Sequence, residues 1–340
     1  MPSMTALVCT RPGEIEIGQR PEPQRAPDEV LVRIRRVGTC GTDYHIFEGL
    51  HPFVEYPRVM GHELSAVVAE APASSRLRKD QVVAVNPYLS CGTCIACRNG
   101  KANCCVRIAV LGVHRDGGMC EWLSLPEVNL LPAEGLSIDE AATVEFLAIG
   151  AHAIRRSAAG PGTRMLVIGA GPIGLGAAIF GRIAGAVVTM MDRDADRIAI
   201  ARSTLGIEDL ILADEYAADR VAAASAGEGF DIVVDATGNR ASMEQGFAYV
   251  SHGGHYVLVS VVKDSITFSD AEFHKREMTL LGSRNATSAD FNQVIAAIAT
   301  KQVPVAKLIT HRTTLAGAAD DLPRWAHAKQ GLVKALIDID

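Results

Sequence analysis

Five of the eight cysteines fall within fifteen residues, in the run CGTCIACRNGKANCC from Cys91 to Cys105. Clustering of that kind points to metal rather than to a disulfide scaffold, because thiols stay reduced in the cytosol. Cys91, Cys94, Cys97 and Cys105 are spaced three, three and eight apart, and four thiolates are what a closed structural zinc site requires. Cys104 is then the spare thiol, although spacing alone leaves Cys104 and Cys105 as alternatives. A zinc-ribbon nucleic-acid module would divide its ligands into two pairs, and these are not divided.

A second run, VIGAGPIGLGAAI, sets Gly169, Gly171 and Gly174 in G-x-G-x-x-G spacing between an apolar strand-like segment and a helix-like one. The first glycine allows a tight turn, the second admits a pyrophosphate against the backbone, and the third lets helix and strand pack closely. The following helix start offers free N–H groups to phosphate. Pro172 and Ile173 complete the loop. Asp192 ends the next strand at the distance expected of a ribose-binding carboxylate, which would repel a 2′-phosphate and so favours NAD over NADP. Arg193 beside it works the other way. Thr237, after FDIVVDA, is a further candidate cofactor contact.

A third signal is a single charge. The segment TVEFLAIGAHAI (143–154) is almost wholly apolar, yet carries Glu145. A buried carboxylate needs a partner, a shifted pKa or a metal.

These residues require elements to hold them. Up to about residue 135 the chain shows short β-like runs (EVLVRIRRVG, SAVVAEA, QVVAVNPY) broken by turn residues, which predicts a β-rich domain. Ser137 and Glu140 form a capping box that opens a helix running through Arg156. From Thr163 the strands RMLVIGA, AVVTMMD, LILAD, FDIVVDATG, HYVLVS and MTLLGS alternate with helical segments, the pattern of a parallel sheet covered on both faces. A closing helix follows near NATSADFNQVIAAIATKQV. The segment KLITHRTTLAGAADDLPRWAHAKQGLVKALIDID has no place in that sheet and is expected to return to the first domain.

The composition suits a soluble globular chain of 340 residues with 48% apolar and 21% charged residues. A net charge of -6 without a basic run argues against nucleic acid as partner. No apolar stretch reaches the roughly 18 residues of a membrane span, and no signal peptide is visible, so a cytoplasmic location with no membrane partner is expected.

Four motifs stand in one order: CGTD at 40–43, GHE at 61–63, the cysteine cluster, and GAGPIG. Together they resemble the zinc-dependent medium-chain dehydrogenase/reductase family of alcohol, sorbitol and threonine dehydrogenases, from about residue 5 onward. The resemblance implies an α/β protein with a GroES-like β-barrel catalytic domain (1–147), a doubly wound Rossmann domain (148–287), and a closing helix with a return to the catalytic domain (288–340). It implies two zinc ions per chain, NAD, a small-molecule alcohol as substrate, and a homo-oligomer, dimer or tetramer.

Carried over by position, Cys40 and His62 are catalytic zinc ligands, with Glu63 and Glu145 as the available carboxylates. Polyol-type relatives have glutamate in an E-P-L context, and this chain reads EFL, with Phe146 for the proline. Counting charges with Cys40 as thiolate predicts that Glu63 and Glu145 do not both bind tightly at once, and leaves open which one ligates. Asp43 is expected to accept from the far nitrogen of His62. Thr42 and His45 occupy the positions of a proton relay to solvent. FSDAEFHKRE, LGSRNAT and GVHRDGGMCEW look most like bacterial L-galactonate and L-gulonate 5-dehydrogenases, and an anionic sugar acid calls for a cation: Arg284 first, then Arg115 and Lys275. Sorbitol- or galactitol-type polyol dehydrogenase and L-threonine 3-dehydrogenase are the alternatives within the same chemistry.

Overall fold

The structure, a computed structural model, describes residues 2–328 and 330–339. The described residues form two compact units. One comprises residues 2–145, 287–301, 305–328 and 330–339, and the other residues 146–286 and 302–304.

In the first unit the strand Glu29–Gly38 is central. Its inward residues Val30, Val32 and Ile34 alternate with half-exposed ones, the two-residue period of a strand with one buried face. It pairs antiparallel with Glu63–Glu70, with Trp122–Pro126 and with Lys334–Asp338. The sheet continues outward through Val82–Val85 to Leu130–Pro132 on one side and to Ile309–Thr314 on the other. A smaller sheet places Ser3–Arg11 between Glu14–Pro21 and Arg58–Val59. Leu7, Val32, Ile34, Leu64, Val68, Val83, Leu125 and Ile337 belong to one apolar core.

The segment that found no place among the parallel strands supplies two strands of this sheet. Ile309–Thr314 and Lys334–Asp338 run parallel, with the helix Ala318–His327 between them in sequence. A parallel pair needs such a crossover, since a tight turn reverses direction. The closing helix, Ser288–Ala299, is opened by a capping box of Thr287 and Asp290.

The second unit is a six-stranded, all-parallel sheet in the order Leu210–Leu212, Val187–Asp192, Arg164–Ile168, Phe230–Asp235, Val250–Leu258, Thr279–Gly282. All six strands read from the sequence are present. Numbered along the chain the order is 3-2-1-4-5-6, the doubly wound arrangement, and ligands bind such sheets at the carboxyl ends of the strands where the order reverses.

One helix differs from its sequence reading. The capping box of Ser137 and Glu140 opens a helix of only five residues, Ile138–Ala142, and a second helix runs Val144–Ser157. Thr143 lies at the break, its hydroxyl donating to the Glu140 carbonyl at 2.7 Å. A side chain that bonds back onto its own turn competes with the helical ladder. The break puts Glu145 in the first turn of the second helix, where the helix dipole favours a carboxylate. Among the described residues no helix is long and apolar enough to cross a membrane.

Candidate active site

The short helix Gly41–Phe47 begins directly after Cys40, whose backbone N–H is accepted by Asp43 Oδ2 at 2.9 Å. Asp43 Oδ1 accepts from the Gly61 N–H at 3.2 Å, which ties the helix start to the segment carrying His62 and leading into the strand that begins at Glu63. The side chains of Cys40, His62 and Glu63 converge, with one donor atom of each within 4.8 Å of the others. Asp43 does not make the expected hydrogen bond to His62. Its nearest oxygen is 3.9 Å from Nδ1, and that buried nitrogen has no hydrogen-bond partner.

Glu63 is fully buried, and its partner was invisible in the sequence. Lys334, equally buried, donates to Glu63 Oε1 at 2.7 Å and Oε2 at 2.6 Å, and to the Thr39 carbonyl at 2.9 Å. Lys334 and Glu63 stand on strands that flank the central strand on either side, and Gly38 lies between them. A Cβ at Gly38 would fall 2.3 Å from Glu63 Oε2, so glycine is what lets the two charges meet across the strand. Burial alone would drive a lysine neutral, but Glu63, then Cys40 and Glu145, more than offset it and hold the Lys334 pKa above its ordinary value.

Glu145 is also buried, and it accepts a hydrogen bond from the hydroxyl of Tyr88. Burial first, and then the charge of Glu145, push the Tyr88 pKa far above its ordinary range, so the phenol is a fixed donor. Lys334 changes the charge count made from sequence. Three potential anions (Cys40, Glu63, Glu145) and one cation (Lys334) leave two negative charges, which a divalent ion neutralises. Both carboxylates are therefore compatible with one metal. The same field acts on His62: burial opposes protonation, but Asp43, Cys40 and Glu145 outweigh it and raise the pKa well above the ordinary value. A thiol, an imidazole and a carboxylate brought together where positive charge is favoured are a donor set that fits zinc.

The second cluster is closed. Cys91, Cys94, Cys97 and Cys105 bring their sulfurs within 4.8 Å of one another, and Cys104 is exposed outside the group. Cys94 Sγ lies 3.5 Å from that of Cys97 and 3.8 Å from that of Cys105. Tetrahedral bonds of about 2.3 Å put the sulfurs about 3.8 Å apart, so the geometry fits zinc. Hydrogen bonds from the Thr93 backbone and hydroxyl pull the Cys91 pKa down to about 5, toward thiolate.

In the second unit, Gly169 has φ +101° and Gly171 precedes the helix Pro172–Ile183, with Pro172 in its first turn. A Cβ at Gly174 would lie 1.7 Å from the Gly169 carbonyl oxygen, so the third glycine is a packing requirement. Asp192 is buried at the end of its strand, its carboxylate accepting from Ala170 N at 2.7 Å and Asp194 N at 2.9 Å. Arg193 is exposed. The arginine beside Asp192 is instead Arg197, at 3.9 Å, on the next helix. No motif marks it. Thr237 bonds through its backbone N–H and hydroxyl to Asp235 Oδ1, at 2.9 and 2.7 Å.

The remaining candidates are more open. Thr42 is half-buried and His45 exposed, one turn apart on the helix after Cys40. Arg115 is exposed on the loop after Leu111, Arg284 is exposed in the second unit, and Lys275 lies 3.5 Å from Glu272 on its own helix.

Known proteins agree with this layout. The family description "Alcohol dehydrogenase GroES-like domain" matches residues 26–135, and "Zinc-binding dehydrogenase" matches residues 172–300. L-galactonate-5-dehydrogenase of Escherichia coli K12 is 42% identical to the chain, over 99% of each. The chain belongs to the zinc-dependent medium-chain dehydrogenases. A crystal structure of the alcohol dehydrogenase rspB from E. coli CFT073 with NADH superposes with TM-score 0.93 at 27% identity, covering 99% of both chains. A zinc-binding dehydrogenase from Sinorhizobium meliloti 1021, bound to NADP, superposes with TM-score 0.91 at 28% identity over the full length of both. This dehydrogenase thus carries the thiol–imidazole–carboxylate cluster and the four-cysteine lobe in its β-rich unit, and the glycine turn in its parallel sheet.

Proposed function

We propose that the enzyme oxidises one secondary hydroxyl of a sugar acid to a ketone with NAD as hydride acceptor, L-galactonate or L-gulonate being the best-supported substrates. The observation that carries the reading is the Cys40–His62–Glu63 cluster, half-buried at Cys40 and buried at the other two, with its Lys334 counter-charge, in a chain 42% identical over its length to L-galactonate-5-dehydrogenase. Cys40, His62 and Glu63, with Glu145 close to them in charge, are the residues proposed to hold the catalytic zinc, and Cys91, Cys94, Cys97 and Cys105 the structural one. Zinc, when bound, makes the substrate hydroxyl far more acidic, and the nicotinamide accepts the hydride.

The protein's own part is to place groups and to move a proton. The half-buried Thr42 hydroxyl is proposed to accept a hydrogen bond from the substrate hydroxyl and, taking up its proton, to give its own onward, with His45, one turn on and exposed, releasing a proton to solvent. Lys334 offsets one of the carboxylates, so that the site with a divalent ion bound would be neutral rather than negative, a condition for that ion to remain electrophilic. On the cofactor side, Gly169, Gly171, Pro172, Ile173 and Gly174 are proposed to cradle the pyrophosphate, with Asp192 on the ribose and Thr237 at the neighbouring strand end. Arg197 tempers the exclusion of a 2′-phosphate. Arg115 and Arg284 are the proposed contacts for the substrate carboxylate.

The enzyme is further proposed to be cytoplasmic and homo-oligomeric. The parallel sheet ends in the four-residue strand Thr279–Gly282, which has no partner on its outer side among the described residues, and Leu280 on it is exposed. An open sheet edge is a template for pairing with a second chain.

The test is NADH formation by the zinc-loaded enzyme with L-galactonate, L-gulonate, sorbitol, galactitol, L-threonine and a simple secondary alcohol, repeated with NADP. The expected result is highest kcat/KM for an aldonate with NAD. Highest kcat/KM for a polyol or L-threonine would replace the sugar-acid assignment while leaving the dehydrogenase intact.

A further inference from the structure

The four-cysteine lobe and the catalytic cluster are joined by a short segment that neither metal site uses. The lobe is closed at its base by a two-residue antiparallel ladder, Tyr88 opposite Val110 and Leu89 opposite Ala109. Leu111 N–H donates to the Pro87 carbonyl at 3.1 Å on the same base. Two buried asparagines lock this segment. Asn129 Nδ2 donates to the carbonyls of Asn86 (2.8 Å) and Tyr88 (3.3 Å), Asn86 N–H donates to the Asn129 carbonyl (2.8 Å), and Asn86 Oδ1 accepts from Tyr88 N–H (3.1 Å). The Tyr88 ring stands edge-on to Phe291, with centroids 6.5 Å apart and planes at 79°. Every freedom of the residue is thereby removed, and its hydroxyl ends on Glu145 Oε1. Packing alone does not require a phenol here, since phenylalanine would keep the ring contact.

We propose that Tyr88 is a positioning residue: it holds one oxygen of Glu145 and leaves the other for the catalytic zinc site, and the four-cysteine lobe secures that arrangement by fixing the backbone of Tyr88. The inference rests on the zinc-site reading given above. A carboxylate held by one oxygen keeps its orientation and charge, and losing such an outer hydrogen bond costs about 10- to 100-fold in metal affinity or activity. The arrangement also gives the lobe a task beyond its own stability, because loosening its base frees Tyr88 and, through Tyr88, Glu145.

The experiment compares full-length wild type, Y88F and N129A, each loaded with zinc, by following metal release to a chromophoric chelator and by recording the electronic spectrum after cobalt replaces the catalytic zinc. Y88F deletes one oxygen, and N129A loosens the clamp with the phenol intact, so the two reach Glu145 by different routes. The expected result is two zinc ions per wild-type chain, with the catalytic ion leaving Y88F about 10-fold faster and the structural ion at the wild-type rate. The cobalt bands of Y88F should shift, and N129A should change in the same direction by less. Adding Y88F to E145Q should change nothing further, because the group it positions is already altered. Wild-type release and unshifted cobalt bands in both variants would overturn the proposal, as would an undiminished Y88F effect in the E145Q background. Fewer than two zinc ions in wild type would overturn the zinc-site reading itself, and this inference with it.

Discussion

The residues proposed to carry the chemistry divide into those with a sequence signature and those without one. Cysteine clusters and glycine turns announce themselves because their spacing is local: ligands three apart close around one ion, and the glycine turn is complete within six residues. Lys334 has no such mark. It lies 271 residues from Glu63, in an ordinary-looking KALID strand, and only strand pairing brings the two together. The charge count that set Glu63 against Glu145 left Lys334 out, and with its positive charge included the three anions Cys40, Glu63 and Glu145 balance one divalent ion. Gly38 was equally silent, since the need for glycine there comes from a side chain on the neighbouring strand. Its replacement is a direct test of the ion pair. In Gly38→Ala the new Cβ meets Glu63 Oε2 at 2.3 Å and Cβ at 3.0 Å, and Lys334 prevents the carboxylate from retreating without loss of both hydrogen bonds. We expect G38A to be destabilised by about 1–3 kcal/mol in denaturant unfolding and to retain fewer than two zinc ions by metal analysis. A variant with wild-type stability and zinc content would show that Glu63 is not fixed as described.

At the scale of elements, periodicity and punctuation carried most of the reading. Six apolar runs became the six parallel strands, and Ser137 with Glu140 became a helix start, because each signal is a property of neighbouring residues. What escaped was the break at Thr143, a tertiary choice that turns one helix into two and aims Glu145 inward. The short helix before it is held by charge. Asp139 pairs with Arg36 at 2.8 Å and with Arg312, and Asp338 pairs with the same two arginines at 3.0 and 2.8 Å, so helix and sheet share one network. Burial works to raise the Asp139 pKa, but the bonds from Arg312 and Arg36 outweigh it and hold the group below its ordinary value. A carboxyl whose folded pKa is depressed adds stability that is complete above its unfolded value, about 3.9, and is lost as the pH falls through the folded value. Asp139→Asn should therefore lower stability at neutral pH and flatten the acid side of the stability curve, measured as thermal midpoint from pH 7 to pH 3. Parallel wild-type and D139N curves over that range would remove Asp139 from the account.

At the scale of the molecule, the fold class, a β-rich part and a parallel-sheet part, was legible because alternation of strand and helix is written into long stretches of chain. How copies assemble is not written there. The strand Thr279–Gly282 is short and mostly exposed, and Leu280 and Val261 are exposed in the same unit. Placing a charge on this edge penalises pairing without touching the core. Leu280→Lys is expected to reduce the particle mass measured by light scattering relative to wild type, with circular dichroism unchanged. An unaltered oligomer in L280K would move the interface elsewhere. The buried pair of Glu63 and Lys334 has one more consequence, in the order in which the chain is made. During synthesis the parallel sheet has its last strand once residue 282 has emerged. The unit that begins first must wait for Lys334: until then Glu63 has no counter-charge and the central strand lacks a neighbour. A nascent chain thus has every strand of its parallel sheet while the central strand of its amino-terminal unit still lacks a neighbour, and any stop before residue 334 leaves Glu63 without its counter-charge.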